Sequence, residues 1–156
     1  MNEFIRLPEP PVDPLLAHQD PLVDARAEEA VLSTMMTGVR VESLEEFHFT
    51  HKVRKAVYLL LRSGVPYESL DAELWKLGIR DEGYVTDIFV TPLLPHKPLV
   101  EAVAELKRLH LMRRFCGDVE GWLKAAPGLD WPVALRRLGE VIRRQGQLAS
   151  LEMSER

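Results

Sequence analysis

Apolar residues recur at helical spacing along most of this chain. In "KVRKAVYLLLR", Val53, Ala56, Val57, Leu60 and Leu61 fall at i, i+3, i+4, i+7 and i+8, with Lys52, Arg54, Lys55 and Arg62 off the stripe. That pattern predicts an amphipathic helix closed by Gly64 and Pro66. Upstream, "DARAEEAVLSTMMTG" places Asp24 as an N-cap, puts Ala27, Ala30, Val31, Thr34 and Met35 on one face, and stops at Gly38. Between these two, "ESLEEFHF" has Ser43 and Glu46 at capping-box spacing and reads as a short helix. "ESLDAELWKLG" repeats the device, with Ser69 as cap, Leu70, Leu74 and Leu77 sharing a face, and Gly78 as stop.

The segment "EGYVTDIFVTP" suits a strand as well as a helix, but a strand here has no candidate partner. Tyr84, Val85, Ile88 and Phe89 are therefore expected on a helix ended by Pro92. From about Pro98 to Lys124 the helical pattern runs long, with Gly117 and Gly121 expected to loosen it. After the turn "APGLD", "WPVALRRLGEVIRRQGQLASLEM" predicts a last helix with Pro132 in its first turn, one apolar side and one basic side. Pro8, Pro10, Pro11, Pro14 and Pro21 predict an extended arm ahead of all this. The expected fold is all-α: an arm over residues 1–20, a compact head of short helices over 21–95, and a long antiparallel helical hairpin over 96–156 of the same domain.

Composition changes this picture in two ways. The 156 residues are 46% hydrophobic and 28% charged, enough apolar mass for one globular core. The net charge of −4 argues against strong nonspecific attraction to nucleic acid or anionic lipid. It is unevenly spread, however: residues 1–96 carry 9 Lys/Arg against 16 Asp/Glu, and 97–156 carry 11 against 8. The single cysteine, Cys116, makes no internal disulfide and points to a reducing compartment. The opening residues lack a basic n-region and an apolar h-region, and no window approaches a membrane span, so a soluble cytoplasmic protein is expected.

Candidate chemistry is sparse. The chain holds no Gly-Lys pair, hence no Walker-type phosphate cradle. Glu28, Glu29, Glu45 and Glu46 lie in amphipathic helical segments, where a solvated carboxylate is the ordinary reading rather than an acid–base catalyst. His48 and His51 have ligand-like spacing, but Phe49 and Thr50 read as a helix boundary between them and no H-E-x-x-H motif accompanies them. No catalytic residue, metal site or cofactor is expected. The basic pairs Lys107-Arg108, Arg113-Arg114, Arg136-Arg137 and Arg143-Arg144 have two readings. They are either phosphate contacts, with Arg136, Arg137, Arg143 and Arg144 the nucleic-acid candidates, or solvated faces balanced by Glu101, Glu105, Asp118, Glu120 and Glu140. Val103, Leu106, Leu109, Leu135, Leu138 and Ile142 form the apolar faces of the two long helices. They are the candidates for self-association, and would serve equally to seal the hairpin from within.

In order, "AEEAVLSTMM", "KAVYLLLRSGVPYES", "ELWKLGI", "GYVTDIFVTP" and "AVAELKRLHLMRRF" resemble the N-terminal domain of the bacterial replicative DNA helicase, the DnaB family. Ala27, Glu28, Ala30, Val31 and Leu32 match its first helix, and Gly64 and Pro66 its G-x-P turn. Arg113-Arg114 match the arginine pair that ends the first long helix of its hairpin. Arg26, Glu29, Ser33 and the reduced "FHFTHK" depart from the family pattern. The resemblance covers roughly residues 20 to 150 without the family's ATPase motor, as expected either of an excised domain or of a stand-alone relative. It further implies an all-α head plus hairpin that pairs into a homodimer or larger ring, with a surface for helicase, primase or loader. A related fold in the helicase-binding C-terminal domain of primase gives an alternative of the same kind. Neither role requires catalysis.

Overall fold

The computed structural model describes residues 20–80, 83–90 and 99–154, leaving out the side chains of residues 89, 90, 153 and 154. Six α-helices carry the described fold, with no strand among them: α1 (Ala25–Met36), α2 (Lys52–Arg62), α3 (Leu70–Lys76), α4 (Tyr84–Val90), α5 (Leu99–Ala125) and α6 (Trp131–Ser154). Single 3₁₀ turns at Glu46–His48, Tyr67–Ser69 and Ala126–Gly128 lie between them. The expected arm falls almost wholly outside the described residues, as do Pro92 and the boundary at 95–96.

The start of α1 is fixed by Asp24, whose Oδ1 accepts from the amide of Ala27 at 3.0 Å, satisfying one of the donors a helix N-terminus leaves open. α2 and α3 end alike. The amide of Val65 reaches the Leu60 carbonyl and that of Gly64 the Leu61 carbonyl; Ile79 and Gly78 do the same to Leu74 and Trp75. These paired bonds need a left-handed residue after the helix, and Gly64 at φ 93° and Gly78 at φ 77° supply it.

α1 is central, contacting α2, α4 and α5. Its Ala27, Val31, Leu32 and Met35 join Leu44, Phe49, Val57, Tyr58, Leu70, Val85, Ile88, Ala102 and Leu106 in one apolar cluster. The first half of α5 therefore belongs to this core. Beyond it, Trp122 donates to the Ala134 carbonyl at 2.8 Å, and Gln145, farther along α6, donates to Asp118, earlier in α5, at 2.7 Å. The order of these bonds means that α6 runs back along α5.

Several local expectations need correction. "ESLEEFHF" forms no helix from Ser43: the turn begins at Glu46, and its reciprocal cap joins Glu45 and His48. The His48 Nδ1 accepts from the Glu45 amide at 2.8 Å. The Ser69 side chain caps nothing, because the 3₁₀ turn before α3 leads straight into that helix. Leu77 is exposed rather than on the face of Leu70 and Leu74, because α3 ends one residue before it. Gly117 and Gly121 do not interrupt α5, so Arg113-Arg114 sit in mid-helix rather than at its end.

Candidate interaction surface

Each turn of α5 has a job set by its neighbours. Ala102, Leu106 and Leu109 face the core and are buried, while Asp118 and Trp122 face α6. Leu106 is 1% and Leu109 2% exposed, and Val103 packs against the core cluster. These three candidates for self-association are thus consumed within the chain. Their apolar period was right; the surface they cover is the core formed by α1 and its neighbours.

Leu135 and Ile142 are different, at 46% and 56% exposed. Leu138 is half-buried. At about 100° per residue, Leu135, Ile142 and Ala149 line one flank of α6. Because the helices run in opposite directions, Met112, Val119 and Leu123 of α5 come to the same side of the pair. Leu123 and Trp131, at the turn end, are also exposed. The flank is an apolar strip rather than scattered single side chains.

The opposite shoulder of α6 is basic. Arg136, Arg137, Arg143 and Arg144 are all exposed. The balancing acids expected from the sequence do not engage them: Glu105 pairs with Arg108 at 2.8 Å, Asp118 accepts from Gln145, and Glu140, exposed among the four, bridges none of them. Among the described residues none of these four guanidiniums has an ion-pair partner.

Two buried polar clusters escaped the sequence reading. Glu28, expected to be solvated, is 1% exposed. Its Oε1 accepts from the Thr50 amide at 2.9 Å and the Thr50 hydroxyl at 2.7 Å, and its Oε2 binds Nε of Arg54. Arg54 donates onward to the Tyr84 hydroxyl at 3.2 Å. Burial works against the arginine's charge, but the Glu28 hydrogen bond and field, helped by Tyr84, leave its pKa above the ordinary value. All the close oxygens of Glu28 are occupied by ties that fasten α1 to α2, so this is a structural ion pair. Glu29 stays partly exposed near Arg54, Glu45 pairs with exposed Arg62 at 2.5 Å, and Glu46 is exposed.

The second cluster contains His48, buried with its ring 5.1 Å from that of His110 and 4.6 Å from that of Phe47. Because Nδ1 accepts from an amide, the proton of the neutral ring lies on Nε2, which is buried and unpartnered. Burial, then the field of His110, push its pKa down to about 4, with Lys107 and Arg113 adding to the effect and the Glu45 carbonyl, 3.2 Å from Nδ1, opposing it. His51 is elsewhere, capping α2 through its Nδ1 and the amide of Val53. Among the described residues, no group of three or more His, Cys, Asp or Glu is placed to hold a metal. Cys116 is a half-buried free thiol.

Arg113 joins this second cluster to the rest. Its guanidinium donates to the Leu22 carbonyl at 2.7 Å and to the carbonyls of Phe47 and His48 at 3.4 Å. Burial lowers its pKa, against the pull of Glu28 and Asp20. A cleft of about 680 Å³ lies between the C-terminal ends of α1 and α2, lined by Met36, Val39, Leu61, Arg62 and Tyr67 among others. No described helix is long and apolar enough to cross a membrane. No protein-family model, curated protein or solved structure matches the chain.

Proposed function

We propose that this protein is a non-catalytic interaction module of DNA replication, a head of short helices plus a two-helix hairpin, that self-associates through the hairpin and docks to a replicative helicase, primase or loader. The carrying observation is the exposed apolar strip of Leu123, Trp131, Leu135 and Ile142, on a helix pair whose Ala102, Val103, Leu106, Leu109 and Ala134 are already covered within the chain. The ordered resemblance of five sequence fragments to the helicase N-terminal domain supports the replication context. The Glu28–Arg54 cluster supports a docking role because its groups are spent on holding α1 to α2. Residues for self-association are accordingly Leu135, Ile142 and, half-buried, Leu138, whereas Val103, Leu106 and Leu109 serve the fold.

Light scattering at tens of micromolar tests the pairing. A dimer or larger assembly is expected, with Leu135→Ser combined with Ile142→Ser shifting it to monomer while the unfolding transition stays in place. A strict monomer for the unaltered chain overturns pairing. Copurification with full-length helicase and primase of the same cell tests docking: binding of one of the two supports it, and absence of both at micromolar concentration overturns it.

A further inference from the structure

The apolar flank leaves the opposite shoulder of α6 unexplained, and the chemistry there differs. Arg136 and Arg143 form one row and Arg137 and Arg144 a second, each spaced seven residues, or roughly 10 Å along the axis. The rows are turned about 100° from one another around the helix. All four side chains are exposed, and none is tied to a carboxylate. Arginine is suited to this position because its planar fork grips a phosphate through two parallel N–H donors. A balanced solvated face would use the available acids; here Glu140 alone lies between the rows.

We propose that this shoulder of α6 binds the phosphodiester backbone of double-stranded nucleic acid, its two arginine rows meeting the phosphates on the two sides of a groove. A groove about 12 Å wide in the major groove of B-form duplex admits an α-helix. The rows then face opposite walls while Glu140 and Gln147 lie between them. A single strand is the poorer fit, because α6 carries no aromatic after Trp131 on which bases would stack. The contact is with backbone, so it is insensitive to sequence and strongly sensitive to salt. This reading does not rest on self-association, since Arg137 and Arg144 stand across α6 from Leu135 and Ile142, and Arg136 and Arg143 about a quarter turn away from them.

Fluorescence anisotropy of a labelled duplex of mixed sequence, titrated with the full chain, tests the proposal. Four phosphate contacts predict that affinity falls about fifty-fold between roughly 50 and roughly 150 mM monovalent salt. Replacing all four arginines by glutamine abolishes most of the low-salt binding with helical circular dichroism unchanged, while Glu140→Gln tightens it. Leu135→Ser with Ile142→Ser leaves duplex binding intact even where it removes self-association. No binding at the lower salt, binding that survives loss of the four arginines, or a Glu140→Gln protein no tighter than the original each overturns the assignment. If the four-arginine variant instead loses binding to an acidic protein or to anionic vesicles while the unaltered chain ignores duplex, the ridge belongs to that partner and the proposal fails. Should the variant not fold, the salt dependence of the unaltered chain and the Glu140→Gln comparison still decide it.

Discussion

α1 and α6 are both amphipathic in sequence, yet they live in opposite surroundings. α1, twelve residues long, buries eight of them because α2, α4 and α5 close around it. α6, twice that length, buries only Ala134 and Gln145 among its described residues, because α5 is its principal neighbour. Helix length thus says little about how much a helix contributes to the core; the number of sides covered decides it. The covered helix carries the fold, and the uncovered one is left free to meet something else.

The sharpest way to break this contrast is at the ion pair that only a covered helix can hold. Glu28→Ala strips Arg54 of its partner in the interior and is expected to cost about 3–5 kcal/mol, while adding Arg54→Met recovers much of the loss. Urea unfolding of the single and double variants checks this. A smaller spread is expected from apolar truncations: Leu106→Ala costs about 2–5 kcal/mol, whereas Ile142→Ala changes monomer stability by no more than about 0.5 kcal/mol. Equal effects at the two positions would erase the distinction between the regions.

The folded pKa of His48 is about 4, below the ordinary imidazole value of 6.5. Between those values the unfolded chain holds the proton more readily than the folded one. Stability from keeping His48 neutral is therefore fully present above pH 6.5 and drains away as pH falls toward 4. Its ceiling is about 3 kcal/mol. His110, also lowered by burial and by Arg113 and Arg114, acts in the same direction. Denaturation midpoints measured from pH 7.5 to 4.5 should fall less steeply in His48→Gln than in the original chain.

What was legible in the sequence was local. Asp24, Gly64 and Gly78 work as the helix signals they resemble, because caps involve only neighbours within a turn. The helical reading of Tyr84 to Phe89 holds for the same reason of context, with helices on both sides. Glu28 went unread because its compensation comes from Arg54, twenty-six residues away, and a local pattern assigns a glutamate to water by default. Leu106 and Leu109 had the right period but an unreadable partner, since periodicity marks an apolar face without naming what covers it. Gly117 and Gly121 were expected to loosen α5; a propensity cost of about 1 kcal/mol each does not end a helix already anchored at both ends.

Arg113 is the last side chain of α5 hydrogen-bonded to the residues ahead of α2, and twelve more helical residues extend past it, an overhang of roughly 18 Å. Force applied at the far tip would act on three backbone carbonyls as a lever acts on its fulcrum. Any tug on the overhanging helices would therefore be passed to Leu22, Phe47 and His48 through one guanidinium.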